Sequence, residues 1–274
     1  MFKAKSYQAL LTSLCLLTAT SFSSEASDSS LASNKFDYIQ YDLVSNNGNY
    51  NFSEVIDPTN SSHVIVVNGV QIKVGLTAWS DTADANGLTD RVVEQTNITN
   101  WEGGLTITNK DSSNDSHYID NFKGGDDFDM ILLSFDKDVI LSQATFNAVN
   151  GNNGSKEITV AGLDDSAVPL FSSSSTWDDI ARKSLTGTLG HFGINNGTSS
   201  FSSLTKAAKY WLVGAYNIYF DKNSDQYSSV GFKLSTLTVG HSVNSPTTEV
   251  SEPGALALMS LGLGLLLYRR KRRV

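Results

Sequence analysis

The chain has 274 residues, of which 20 are basic and 28 acidic, so its formal net charge at pH 7 is −8. This acidic balance argues against a protein that binds nucleic acid through a basic face. The chain has one cysteine, Cys15, in an N-terminal segment that we expect to be removed. The mature protein would then have no disulfide, no thiolate metal site and no cysteine nucleophile.

The first 26 residues have the pattern of a secretory signal peptide. Lys3 and Lys5 form a positively charged start, Ala9–Ala19 is an apolar core, and Ser24-Glu25-Ala26 resembles a small-x-small cleavage site. We therefore expect export through the Sec translocon and removal of residues 1–26 by signal peptidase.

The body, residues 27–241, consists mainly of short segments that favour β-strands, separated by turns rich in Asn and Gly. These segments are Tyr38–Leu43, His63–Val67, Val70–Trp79, Leu105–Thr108, Met130–Phe135, Val139–Val149, Glu157–Ala161, Tyr210–Phe220 and Val230–Val239. Asn68-Gly69 predicts a tight hairpin with a type I′ turn, because both residues tolerate positive φ. The sequence predicts an all-β fold, an antiparallel β-sandwich of the jelly-roll kind.

An acidic run in the middle of the body is the candidate metal site. Asp126, Asp127 and Asp129 precede an apolar strand, and calcium accepts such carboxylates on the loops of β-sandwiches. Two further oxygen-rich loops, 81–90 and 221–225, have a similar composition, but the second lacks the glycine and glutamate of an EF-hand. The alternative is that all these acids form solvated turns. Calcium is thus the one cofactor that the sequence suggests.

Two segments of the body predict short helices. Thr176–Lys183 begins with a capping residue, followed by acids in the first turn and bases at the end, as the helix dipole favours. Leu204–Trp211 predicts a second helix that leads into a strand. After the body, the stretch 242–250 contains Ser, Thr and Pro and predicts a linker.

The aromatic residues allow two interpretations. Trp79, Trp101, Trp177 and Trp211 either fill the core or include a platform on which sugars stack. The alternating aromatics of Tyr210–Phe220 favour the core. The four histidines have no zinc-type spacing and no G-x-S-x-G motif is present, so we expect that the protein is not an enzyme.

The C-terminal segment, residues 251–274, combines three features in a fixed order. Glu252-Pro253-Gly254 predicts an extended, accessible turn, and the apolar run Ala255–Tyr268 follows it. As a helix this run would cover roughly 21 Å, short of the ~30 Å hydrocarbon core of a bilayer. The basic end would stay in the cytoplasm. The residues predicted to anchor and stop the chain are Leu256, Leu263, Leu267, Arg269, Arg270, Lys271, Arg272 and Arg273.

This order of motif, apolar run and basic cluster resembles the PEP-CTERM sorting signal of exported proteins in Gram-negative bacteria, with Ser251 where the family more often has proline. The resemblance implies recognition of Glu252-Pro253-Gly254 by a membrane-embedded exosortase, a transient stay in the inner membrane, and cleavage. Asp126–Phe135 and the layout of the body resemble a group of exosortase-dependent surface proteins, a resemblance that brings no defined activity.

The sequence therefore predicts an exported protein of the cell surface or extracellular matrix with a structural or adhesive role. The expected partners are the Sec translocon, signal peptidase, the exosortase, the inner membrane and extracellular polysaccharide, without nucleic acid. A calcium-dependent carbohydrate-binding module is the first alternative. A polysaccharide-acting enzyme is the second.

Overall fold

A computed structural model describes residues 36–44, 63–83, 89–108, 118–122, 127–151, 156–221 and 228–242, without the side chains of 82–83 and 89–91. The chain divides into two units, the first containing 1–27 and 37–241 and the second 28–36 and 242–274. In the second unit only Phe36 and Ser242 are described. The predicted signal peptide, most of the linker and the sorting segment 251–274 lie outside the described residues.

The prediction of an all-β fold is confirmed: the described residues form twelve strands and three short helices. The strands are β1 (Phe36–Asp42), β2 (Val64–Val67), β3 (Val70–Ala83), β4 (Thr89–Trp101), β5 (Gly104–Thr108), β6 (Ile119–Asp120), β7 (Asp129–Gly151), β8 (Glu157–Leu163), β9 (Ser184–Gly193), β10 (Thr198–Ser200), β11 (Ala208–Ala215) and β12 (Val230–Ser242). One α-helix, α1 (Trp177–Ala181), and two 3₁₀ helices, Asp165–Ser172 and Ile218–Phe220, complete the fold.

The long strand β7 organises the sheet. Its first half, from Asp129, pairs antiparallel with β3 and β11, and its second half pairs antiparallel with β12 and β10. Since β3, β4, β5 and β12 are neighbours in that order, β7 closes the five strands into a ring. Strands β8 and β9 continue outward from β11.

The sequence predicted two strands where the structure has the single strand β7. The polar stretch 136–138 separates the two apolar halves, and such a break is typical of a turn. Asp136 instead accepts a hydrogen bond from the backbone N–H of Lys73, at 2.8 Å, beside the point where β3 joins β7. Because this carboxylate has a backbone donor as its partner, the chain continues as a strand.

Asn68-Gly69 forms the predicted hairpin. Asn68 has φ of 47° and Gly69 of 78°, the two positive angles of a type I′ turn, and Val67 pairs with Val70 across it. The β4–β5 turn has the same pair of angles at Glu102 (49°) and Gly103 (81°). Glutamate is unusual at such a position, so the sequence did not predict this second turn.

The first predicted helix is confirmed and the second is wrong. Thr176 Oγ1 accepts from the backbone N–H of Asp179, and the Asp179 carboxylate accepts from the backbone N–H of Thr176, which is a capping box. Leu204–Trp211 is not a helix, because β11 begins at Ala208 and pairs with both β7 and β8. Pairing on both sides, together with complete burial of Trp211, outweighs the local preference for a helix.

A buried hydrophobic cluster lies between the sheet and the helices. It joins residues from β3, β4, β7, β8, β11, α1 and both 3₁₀ helices. Trp79 packs against Phe171 with ring centroids 4.9 Å apart, and Trp177 is fully buried against Phe220. This burial of aromatic and aliphatic surface is the main stabilising term in a chain whose described body contains no cysteine.

The first and last strands of the sheet are neighbours. Leu43 N–H donates to the carbonyl oxygen of Ser235 at 3.0 Å, and the ring of Tyr38 lies against Gly240. Going along β1 from Tyr38 to Leu43, the contacted residue of β12 changes from Gly240 to Ser235, so the two strands are antiparallel. The start of β1 therefore lies beside the end of β12.

Asn121 is a buried amide that joins three parts of the chain. Its Nδ2 donates to the carbonyl oxygens of Tyr216 (2.7 Å) and Ser228 (2.8 Å), and its Oδ1 accepts from Val230 N–H (2.8 Å). The side chain is inaccessible to solvent. Three backbone groups near the start of β12 therefore depend on this one residue.

Replacing Asn121 should destabilise the protein strongly. Asn121→Ala leaves three backbone groups without their partner, which we expect to lower the free energy of unfolding by about 3–5 kcal/mol. Denaturant titration followed by tryptophan fluorescence measures the change. Asn97→Ala, at an exposed position of β4, should change it by less than about 0.5 kcal/mol. Equal effects of the two substitutions would contradict the role of Asn121.

Candidate functional site

Among the residues with described side chains, four aspartates are buried, which is uncommon for this residue. Asp81 lies on β3, Asp120 on β6, Asp127 just before β7, and Asp129 is its first residue. Each has less than a tenth of its surface exposed. Buried carboxylates are stable only when they are hydrogen-bonded, protonated or bound to a cation.

Asp81 holds the indole of Trp177 and the backbone before β7. Its Oδ1 accepts from Phe128 N–H at 2.7 Å and from Trp177 Nε1 at 2.9 Å. Burial raises the pKa of Asp81 to about 8, and the nearby charge of Asp127 adds to that effect. Asp81 is therefore mainly protonated at neutral pH, and it links β3, β7 and α1 as a neutral group.

Asp129 shares its surroundings with two other acids. Its Oδ2 accepts from Asp120 N–H at 3.3 Å, and its side chain also hydrogen-bonds to that of Ser80 on β3. Burial, then the charges of Asp120 and Asp127, raise the pKa of Asp129 well above its usual range. Like charges held this closely favour protonation or a bound cation.

The structure describes two of the three predicted calcium ligands. Asp127 and Asp129 are buried near each other's charge, whereas Asp126 lies outside the described residues. The fold brings Asp120 to Asp129 and Asp81 to Asp127, a proximity that the sequence did not reveal. Across the described ranges, no group of three or more His, Cys, Asp or Glu is arranged to hold a metal ion. Calcium at Asp126, Asp127 and Asp129 stays a prediction.

His191, one of the described histidines, has both polar and aromatic contacts. Its Nδ1 lies 3.0 Å from Thr159 Oγ1, and its ring lies 4.9 Å from that of Tyr216. Burial lowers the pKa of His191, and Asp221, with Oδ2 3.9 Å from Nε2, opposes that shift. Thr159 Oγ1 also accepts from Asn217 N–H at 2.8 Å. These contacts join β8, β9 and the loop after β11.

The tryptophans separate into core and surface. Trp79, Trp177 and Trp211 are buried, which confirms the preference for the core, and Tyr216 is buried with them. Trp101 differs, because it ends β4 with 46% of its surface exposed. A sugar platform that includes the three buried indoles is therefore excluded.

Comparisons with family models, with curated proteins and with solved structures found no match. In the part of the chain that the structure describes, no helix has both the length and the apolar character to cross a membrane. The function is therefore inferred from the residues of this chain.

The raised pKa of Asp81 predicts that the contribution of this group to stability falls as pH rises. The folded state retains a proton that the unfolded chain loses above about pH 4, so the free energy of unfolding decreases between about pH 4 and pH 8, by up to about 1.4 kcal/mol per pH unit for this group. Asp81→Asn retains an acceptor for Phe128 and Trp177 and should reduce that slope.

Denaturant titrations of both proteins at pH 5, 6, 7 and 8 measure the two slopes. Asp129, whose pKa is also raised, contributes in the same direction and leaves a residual slope in the variant. Asp165→Asn, at an exposed position, is the control and should keep the full slope. Parallel curves for the wild type and Asp81→Asn would contradict the assignment.

Proposed function

We propose that this protein is exported, sorted through residues 251–274 by an exosortase, cleaved there, and placed at the cell surface or in the extracellular matrix. The observation that supports the proposal most is the order Glu252-Pro253-Gly254, Ala255–Tyr268 and Arg269–Arg273. An apolar run shorter than the bilayer core, followed by five cations, is a poor permanent anchor but an adequate stop during export.

The N-terminal pattern supports the same route. The positively charged start, apolar core and small-x-small site of residues 1–26 fit export by the Sec translocon and cleavage by signal peptidase. The two segments together hold seven basic and two acidic residues, so their removal leaves 13 basic and 26 acidic residues. A mature body with this excess of acid repels other copies of itself and stays soluble.

The pairing of β1 with β12 also agrees with this proposal. Because the start of β1 lies beside the end of β12, the described body begins and ends at the same place. A linker of residues 242–250, fully extended, would span roughly 30 Å. The body would then fold outside the bilayer while the tail is still in it.

For the mature protein we propose a structural or adhesive role. We also propose that its fold is a jelly-roll-like sandwich, in which the two halves of β7 belong to opposite layers. Exposure of Trp101 favours carbohydrate binding as the second candidate function. A calcium-dependent form of such binding rests on Asp126, Asp127 and Asp129. An enzyme acting on polysaccharide is the least supported, since no catalytic motif was recognised in the sequence.

Substitution of the motif should leave the tail attached. In Glu252→Gln and Pro253→Ala, we expect full-length protein without its signal peptide to accumulate in the inner membrane, because the exosortase no longer recognises the turn. Intact-mass analysis of membrane and surface fractions measures the tail directly. Glu249→Gln, three residues upstream, is the matched control and should mature normally. Normal maturation of the motif variants would contradict the sorting proposal.

Calcium should stabilise the protein if the predicted ligands bind it. At a calcium concentration about 100 times the Kd, the gain is about 2.7 kcal/mol, or a rise in Tm of roughly 5–10 °C. Differential scanning calorimetry with calcium and with chelator measures the shift. It should disappear in Asp127→Asn and persist in Asp165→Asn. An unchanged Tm at millimolar calcium would exclude the site.

A further inference from the structure

We propose that the outer surface formed by Trp101, Tyr118, Phe122, Asn147 and Asn150, here called the aromatic face, binds a neutral polysaccharide. The inference deepens the adhesive role proposed above by naming the ligand class and the residues that contact it. Binding by the purified protein does not require cleavage of the tail, so the two proposals can fail separately.

Two rings of the aromatic face are fixed against the sheet. A Cβ at Gly231 of β12 would come within 2.5 Å of Phe122 Cζ, so the ring lies directly on the strand backbone, yet Phe122 is 39% exposed. Tyr118 packs edge-on against Phe122, with centroids 6.3 Å apart. Asn150 Nδ2 donates to the hydroxyl of Tyr118 at 2.9 Å. These contacts orient both rings before any ligand arrives.

A buried lysine connects the turn that follows Trp101 to this pair. Lys233 Nζ lies 2.8 Å from Glu102 Oε2 and 5.7 Å from the centroid of the Tyr118 ring. Glu102 follows Trp101 in the β4–β5 turn, so one cation holds both the turn and the tyrosine. Because the side chain of Lys233 is only 3% exposed, it positions its neighbours and does not itself face a ligand.

The β4–β5 turn is also held by two donors. Asn147 Nδ2 donates to the carbonyl oxygen of Gly103 at 2.7 Å, and Ser235 Oγ donates to the same oxygen at 2.9 Å. The turn therefore bonds to β7 and β12, and β12 also pairs with β6, the short strand that lies between Tyr118 and Phe122 in the chain. Trp101, which precedes this turn, has nearly half its surface in water.

The chemistry of the aromatic face fits a sugar chain. The apolar C–H faces of pyranose rings stack on aromatic rings, and their hydroxyls need donors and acceptors beside the stack. The exposed amides of Asn147 and Asn150 each have a second N–H and a carbonyl oxygen for that purpose. A hydrophobic protein partner fits less well, because the amides of Asn147 and Asn150 and the carboxylate of Glu102 lie beside the rings.

Charge limits the class of glycan. The charge of Lys233 is compensated by Glu102, so the aromatic face offers no net positive charge to an acidic sugar. The body, with 26 acidic against 13 basic residues outside 1–26 and 251–274, repels polyanions. A neutral polysaccharide meets neither obstacle.

Affinity electrophoresis tests this proposal with the full chain in mild non-ionic detergent. Native gels contain a neutral β-glucan, a neutral galactomannan or the polyanion alginate, each over a range of concentrations. We expect at least one neutral polysaccharide to retard the wild type. Trp101→Ala and Phe122→Ala should each weaken the apparent affinity about tenfold or more, which corresponds to about 1.4 kcal/mol.

Tyr38→Ala is the matched control, because Tyr38 is an aromatic residue on β1 with 44% exposure and lies outside the aromatic face. It should retain wild-type retardation, and unchanged circular dichroism should show that all three variants fold. The proposal is overturned if no neutral polysaccharide retards the wild type. It is also overturned if Trp101→Ala and Phe122→Ala bind as tightly as the wild type, or if alginate alone is bound.

Discussion

The fold depends on antiparallel pairing along the full length of β7. Its first half bonds to β3 and β11 and its second half to β12 and β10, so this one strand joins the two groups of partner strands. Buried backbone N–H and C=O groups must be paired, and a central strand satisfies them on both sides. With no cysteine in the body, this pairing and the packing of its apolar side chains maintain the structure.

The sequence predicted the elements that depend on interactions between residues close together in the chain. Asn68-Gly69 determines its own turn, and Thr176 caps α1 through residues within one helical turn. Strands β4 and β9 were not predicted, because both are rich in Thr, Gly or Asn and show weak alternation. The helix predicted at Leu204–Trp211 is a strand because its partners, β7 and β8, are distant in the chain.

The candidate site was predictable only in part for the same reason. The run of aspartates that ends at Asp129 is visible in the sequence. The hydrogen bond between Asp81 and Phe128, however, joins residues that are 47 positions apart in the chain. Burial then raises the pKa of Asp81 and of Asp129, an effect that composition does not reveal. Likewise, nothing in the sequence distinguishes Trp101, which is exposed, from the three tryptophans that are buried. Phe122 becomes a surface ring because Gly231, far along the chain, leaves room for it.

The position of β12 in the ring limits when the sheet can close. Among the described strands β12 comes last in the chain, yet β1, β5 and β7 all pair with it. Under the export route proposed above, the chain would emerge N-terminus first, and the ring would close only after Ser242 had crossed the membrane. Closure of the sheet would then oppose backward movement of the chain, so folding would help to complete translocation before the tail is cut.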